Sequence, residues 1–324
     1  MRYQTMMNTD MKLSCVCLGG AGFGNTLDEE TSFAVLDAFA EDGGNFIDTA
    51  NVYCRWVPGL ENCSEKLLGR WLKSRNAYND VVIATKGAHY RIDDPLRTPR
   101  LSENDIRTDI EDSLKALGIE TIDFYWLHRD DPNKPIEEIV DILEDLRKEG
   151  KLRYYGFSNF KTERAEKARI YLEQKGRHGP YAISNQWSTA SINKNSNLNP
   201  DPTLVVFDDE EYRWHEKTGI PAIPYSASAL GFFDKLHRLG ENIPPHLRAA
   251  YWNEENLNKY KMLVRISEET GHSIHALSIA WLISGPHAKS FRVFPVCGVS
   301  SMSQLKDIID AGNISSDVFS GYRL

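Results

Sequence analysis

The sequence predicts an α/β chain folded as a closed (β/α)8 (TIM) barrel, a single domain over residues 1–324 with long loops at the C-terminal face of its strands. Two observations predict it. Short apolar strand segments alternate eight times with segments of helical period, and several loops leaving the strands are far longer than those returning to them. Repeated alternation of this kind calls for a parallel sheet, and eight units suit a closed barrel whose functional face carries the strand C-termini.

The strand candidates, in order, are Ser14–Gly19, Asn45–Ala50, Val81–Lys86, Ile122–His128, Leu152–Ser158, Tyr181–Gln186, Ile220–Ser226 and Phe291–Gly298. Between them, Glu29–Asp42 places Phe33, Leu36 and Ala40 on one helical face, and Glu61–Arg75 does the same with Leu67, Leu68, Trp71 and Leu72. Ser102–Leu117 opens on Ser102-Glu103-Asn104-Asp105, a capping pattern, and closes before Gly118. Pro135–Glu149 has proline in its first turn and Gly150 just past its end. Lys161–Lys175, Asp208–Thr218 and Glu255–Thr270 each stop at a glycine; Ser273–Ile283 is an additional helix, and Met302–Asp310 follows the last strand. An open doubly wound sheet is the competing architecture. Leu18-Gly19-Gly20-Ala21-Gly22-Phe23-Gly24 supplies the glycines of a dinucleotide turn, but no acidic ribose ligand follows on a second strand.

Apolar content of 41% against 26% charged residues describes a globular chain with a substantial core. The net charge of −8 is spread along the chain, which argues against a nucleic-acid partner. No run reaches the ~18 apolar residues of a membrane span, and the polar stretch Met1–Lys12 lacks a secretory apolar region. A cytoplasmic protein is expected. Its five cysteines, Cys15, Cys17, Cys54, Cys63 and Cys297, are odd in number and scattered, so reduced thiols are expected. Cys15-Val-Cys17 lacks the second pair a zinc site needs, and no metal site is expected.

The strand ends carry the chemistry. Strand two ends with Asp48, and Tyr53 lies just beyond; strand three ends with Lys86 and strand four with His128. A lone lysine there is usually solvated and a lone histidine usually packed, but ionisable groups at three successive strand ends of one barrel are harder to dismiss. A phenol with its ordinary pKa of about 10 donates a proton poorly near neutrality. An adjacent ammonium is expected to lower that value, and Asp48 would hold Lys86 charged. His128 is suited to orienting a substrate oxygen or shuttling a proton. Together these groups can add a proton to, or remove one from, an oxygen on an sp² carbon.

Asp48-Thr-Ala-x-x-Tyr53, the Lys86 and His128 strand ends, Gly156-Phe-Ser-Asn-Phe160 and Asn185-Gln186 together resemble the aldo-keto reductases, over roughly Leu13 to Asp310. The resemblance implies a (β/α)8 barrel reducing carbonyls with NADPH (NADP), with NADH as the alternative donor. Tyr53 would be the general acid, Lys86 and Asp48 the pair that tunes it, and His128 the orienting residue. Ser158, Asn159 and Gln186 would hold the nicotinamide carboxamide, Tyr225 would stack on its ring, and Gly22 and Phe23 would line the cofactor near the first loop. At the adenosine end this chain offers Gly298, Ser300 and Gln304 where NADP-selective members often carry Lys or Arg.

Trp56, Trp187 and Arg129 are candidates for the substrate pocket, and aromatic faces beside charged groups suit a sugar or sugar derivative. The partner expected is a small carbonyl compound. Two rivals stand beside a reductase: a Schiff-base lyase using Lys86, and a weakly catalytic cofactor-sensing protein. Long loop Ala227–Asn253 is expected to cover the substrate, since few residues follow the last helix.

Overall fold

A computed structural model describes residues 1–322 apart from 195, 197 and 199. The chain opens with an antiparallel hairpin, β1 (Tyr3–Thr5) and β2 (Lys12–Ser14). The barrel then alternates β3 (Cys17–Gly19), α1 (Glu29–Glu41), β4 (Phe46–Asp48), α2 (Cys63–Arg75), β5 (Val82–Gly87), α3 (Glu103–Leu117), β6 (Ile122–Leu127) and α4 (Ile136–Lys148). It continues through β7 (Leu152–Ser158), α5 (Thr162–Gln174), β8 (Ile183–Ser184) and α6 (Asp209–Thr218). After α7 (Phe232–Leu239), α8 (Pro245–Tyr251), α9 (Glu254–Thr270) and α10 (Ile274–Ser284), the chain ends its alternation with β9 (Val296–Gly298) and α11 (Met302–Asn313). Adjacent strands in the parallel sheet run β8-β7-β6-β5-β4-β3-β9. No helix among the described residues is long and apolar enough to cross a membrane.

The seventh barrel strand, expected over Ile220–Ser226, is reduced to single bridges: Ala222 pairs with Ile183 on one side and Val293 on the other. Proline explains this, because Pro221, Pro224 and Pro295 have no N–H to donate to a continuous ladder. Closure survives through Ile183 N to Pro221 O (3.1 Å), Ala222 N to Arg292 O (3.0 Å) and Val296 N to Pro224 O (2.9 Å). The (β/α)8 barrel expected from the sequence is therefore the fold.

The hairpin lies outside the strand candidates of the sequence pattern. Met6, Met11 and Leu13 are buried in the same cluster as Phe46, Phe124 and Phe294, so apolar residues interspersed in a polar segment join the barrel core. The expected loop Ala227–Asn253 instead folds largely into α7 and α8, burying Phe232, Phe233, Leu236 and Leu247.

Strand period two sets the site. Phe46 and Asp48, Ala84 and Lys86, and Trp126 and His128 each lie two residues apart and so share a strand face. Phe46 meets Phe294 edge to face at 6.2 Å within this core, which leaves the polar members of each pair at the C-terminal edge. Register pairs Asp48 with Ala84 and Lys86 with Trp126.

Candidate active site

Backbone bonds hold the strand ends past the formal ends of the strands. Thr49 N donates to Ala84 O (2.8 Å), Asn51 N to Lys86 O (2.9 Å) and His128 N to Gly87 O (2.8 Å). Thr49 Oγ1 is linked to Ser64 Oγ at 2.7 Å, and Ser64 donates to Gly20 O at 2.7 Å, tying the first and second loops to α2.

Lys86 is the hub. Its ammonium donates to the Asp48 carboxylate, to Thr49 O at 2.9 Å and to the Tyr53 hydroxyl at 3.3 Å. Burial works against the Lys86 charge, but Asp48 and Tyr53 more than offset it and leave its pKa raised. Burial also raises Asp48, with Lys86 pulling the other way. For Tyr53 the sequence-based expectation needs correcting. Burial outweighs the nearby ammonium, so the phenol is raised rather than lowered. Lys86 reduces the cost of the phenolate without making it the resting form.

His128 stands edge-on to the Tyr53 ring at 6.3 Å. Burial and the positive charges of Arg129 and Lys86, with His89 also contributing, push its pKa well below 6.5, so it is neutral. Its Nδ1 is buried without a hydrogen-bond partner among the described residues. Two clamps fix its carbonyl: Arg129 donates at 2.8 Å and Asn159 Nδ2 at 3.2 Å.

The candidate cofactor residues form a connected cradle at the ends of β7 and the seventh strand. Asn159, in the left-handed region at φ 60°, accepts from the Tyr225 hydroxyl (2.6 Å) and Val205 N (3.1 Å). It also donates to Ser158 Oγ at 3.1 Å, while Ser158 donates to Ser184 O at 2.9 Å. Gln186 bridges to both Val206 and Tyr225 through its backbone, and its side chain bonds to Tyr251. Phe23 is buried, and Gly22 lies beside it in the first loop. At the far side, Gly298 is exposed, and Gln304 accepts from the Ser300 N–H (2.7 Å) and hydroxyl (3.0 Å). Ser301 caps α11.

The substrate-pocket candidates separate. Trp56 is 48% exposed and meets the Tyr53 ring at 6.3 Å. Trp187 stacks flat on Phe207 at 4.1 Å with His287 at its edge, which uses its ring in packing. Arg129 is buried and engaged by Thr203 (2.9 Å) and Asp201 (3.3 Å).

Three features escaped sequence reasoning. Asp201 accepts from Tyr90 (2.8 Å), Thr203 and Arg129, and faces Arg97 at 3.6 Å, so one carboxylate joins three loops around His128. Burial works upward on Asp201, but these donors hold its pKa at about 2. His89 packs on His128 at 4.8 Å, and a polar residue three positions after Lys86 was its only signal. Cys54 and Cys63, expected as thiols, are joined in a disulfide with Cα atoms 5.8 Å apart. Both sulfurs lie at the Phe23 carbonyl oxygen, Cys54 Sγ at 4.0 Å and Cys63 Sγ at 3.3 Å, so the two ends of the loop meet there.

The profile of the aldo/keto reductase family matches residues 15–321. The chain belongs to this family. Curated relatives include an uncharacterised oxidoreductase of Bacillus subtilis, 26% identical and covering 98% of this chain and 93% of its own. A second is the aryl-alcohol dehydrogenase [NADP(+)] of Phanerodontia chrysosporium, 28% identical over 90% of this chain and 74% of its own. A third, the norsolorinic acid reductase of Emericella nidulans, is 27% identical over 91% of this chain and 73% of its own. This aldo-keto reductase is thus an NAD(P)H-dependent carbonyl-reducing enzyme.

Proposed function

We propose that the enzyme reduces an aldehyde or ketone, with a sugar or sugar derivative as the substrate class, and that Tyr53 supplies the proton. The single observation that carries the proposal is the 3.3 Å contact from the Lys86 ammonium to the Tyr53 hydroxyl, with Asp48 behind it. As Tyr53 gives up its proton to the nascent alkoxide, the phenolate forms against a fixed positive charge and needs no solvent reorganisation. Neutral His128, its peptide clamped by Arg129 and Asn159, would hydrogen-bond the same substrate oxygen. A bound nicotinamide would supply the hydride.

The residues present fit such a cofactor. The Tyr225 ring is half-buried and its hydroxyl is anchored on Asn159, a fixed plane for a ring to stack on. Asn159 donates to Ser158 Oγ, and a carboxamide would take the place of that bond, with Gln186 beside them. A Cβ on Gly298 would meet nothing closer than 3.9 Å, so backbone there leaves open floor. Gly22, Phe23, Ser300 and Gln304 would border the cofactor's remaining length. NADPH is the proposed donor, in line with the relative from Phanerodontia. NADH is its competitor, because Gly298, Ser300 and Gln304 bring no cation to a 2′-phosphate.

An ion-paired Lys86 with a raised pKa is a poor amine nucleophile, which disfavours Schiff-base chemistry. A cytoplasmic location and a single domain complete the proposal. The test is fluorescence titration with NADPH and NADH side by side, followed by a carbonyl panel. Binding with turnover of an aldehyde or ketone is expected; failure to bind either nucleotide would overturn it.

A further inference from the structure

Resting on that function, we infer that the cleft between the loops after β4 and β5 binds an anionic group of the carbonyl substrate, a carboxylate or a phosphate, through Arg55. The cleft holds about 1180 Å³, and its walls include Asn51, Arg55, Trp56, His89, Tyr90 and Arg100. It adjoins the chemistry on two sides. Trp56 meets the Tyr53 ring at 6.3 Å, and His89 meets His128 at 4.8 Å.

Five arginines stand on the loops after β4, β5 and β6. Arg91 is held by Asp93, Arg100 by Asp105 and Asp109, and Arg97 and Arg129 by Asp201. Arg55 differs. Its guanidinium holds only neutral acceptors, the carbonyl oxygen and side-chain oxygen of Asn51, and it has no ion-pair partner among the described residues. Glu61, the acid on its own loop, accepts from Gly59 N, and it and the buried Glu65 feel the Arg55 charge without contacting the guanidinium. An arginine held on neutral oxygens, with no carboxylate in direct contact, keeps donors in a fixed direction for an incoming anion.

The segment that carries it is also constrained. Arg55 and Trp56 lie within the ring closed by the Cys54–Cys63 disulfide, so the cation and the half-exposed indole are held on one rim. Opposite them, His89 Nδ1 lies 2.7 Å from the Tyr90 carbonyl oxygen, which can only accept. The proton therefore sits on Nδ1 and leaves Nε2 as an acceptor for a substrate hydroxyl. A cation, a hydroxyl acceptor and an aromatic face describe a hydroxylated acid or a phosphorylated sugar better than a neutral polyol.

The cleft as a whole is not cationic. Glu61, Asp93, Asp94, Asp105 and Asp109 also line it. Asp93, Asp105 and Asp109 are spent on Arg91 and Arg100, and Asp94 on the amides of Leu96 and Thr98. Discrimination therefore comes from contact with Arg55, not from long-range steering.

The experiment compares kcat and KM for matched pairs: 4-carboxybenzaldehyde against its methyl ester, glucuronate against glucose, and glyceraldehyde 3-phosphate against glyceraldehyde. The first two pairs read carboxylate and the third phosphate. A preference of about tenfold in kcat/KM for the charged member of at least one pair is expected. Arg55→Met should erase it mainly through KM, and Arg55→Lys should restore part of it. Reduction of both members of every pair with equal efficiency, or a preference unchanged in Arg55→Met, overturns the anion site and leaves the reductase function standing. No reduction of any carbonyl overturns both.

Discussion

Lys86 and Asp48 form an ion pair between neighbouring strands with 4% and 2% of their side chains exposed. Removing one partner strands the other charge in a dry site, at a cost of about 3–5 kcal/mol. Lys86→Met alone and Asp48→Ala alone should each lose stability of that order in urea unfolding. The double variant Asp48→Asn with Lys86→Met should recover most of it, because no charge is left buried, yet remain inactive. Recovery of turnover alongside stability would show that the pair serves the fold and not the phenol.

Tyr53→Phe removes the hydroxyl that Lys86 contacts and keeps the ring that Trp56 and His128 flank. Loss of a positioned proton donor should lower kcat by about 10²–10⁴-fold. Fluorescence titration of the nucleotide should be nearly unchanged. Near-normal turnover of the variant would remove Tyr53 from the proton-transfer role.

The sequence exposed most of the barrel because its rules are local. Helix stops at Gly118, Gly219 and Gly271 and the strand ends at Asp48, Lys86 and His128 all follow from patterns within a few residues. What stayed hidden depends on chain crossings. Asp201 meets Tyr90 across a separation of 111 residues, and Arg129 across 72, so no window along the chain connects them. The prolines of the seventh strand were visible, but whether bridges on both sides would survive them depends on Ile183 and Val293. The Tyr53 shift has the opposite sign to the sequence expectation because charge neighbours can be read from motifs and burial cannot.

His89 supplies a pH dependence. Burial, reinforced by Arg129, lowers its pKa from 6.5 to about 4. Between those values the unfolded chain binds more protons, so stability rises with pH across the window. It is fully present above pH 6.5 and lost progressively as pH falls toward 4, by about 3 kcal/mol at most. His128, also held neutral, adds in the same direction. Urea midpoints measured from pH 7 to pH 4 should fall, and His89→Gln should flatten the slope. An unchanged slope in the variant would place the acid sensitivity elsewhere.

Asp201→Ala should loosen the three loops it joins. Its charged hydrogen bonds to Arg129 and Tyr90 are worth about 1.5–3 kcal/mol each, and the loss should appear as cleavage in loop 88–100 under limited proteolysis. Because Arg129 then loses its counter-ion beside His128, KM for the carbonyl should rise as well. Asp201→Asn should keep the Thr203 contacts and give a milder effect. Equal protease resistance of wild type and Asp201→Ala would mean that the loops are held by packing alone.

Cys54 and Cys63 give a count that can be checked directly. The bridge leaves Cys15, Cys17 and Cys297 as the free thiols, all buried. Native protein should therefore react slowly with an aromatic disulfide reagent. Denatured without reductant it should release three thiol equivalents, and five after reduction. Cys63→Ser should raise the unreduced count by one, because Cys54 is then unpaired while Cys63 is gone. Opening the ring releases its constraint on the unfolded chain, so thermal stability should drop by the equivalent of about 2 kcal/mol, the lower end for a small loop. Five thiols in unreduced protein would instead mean that the sulfurs lie close without a bond.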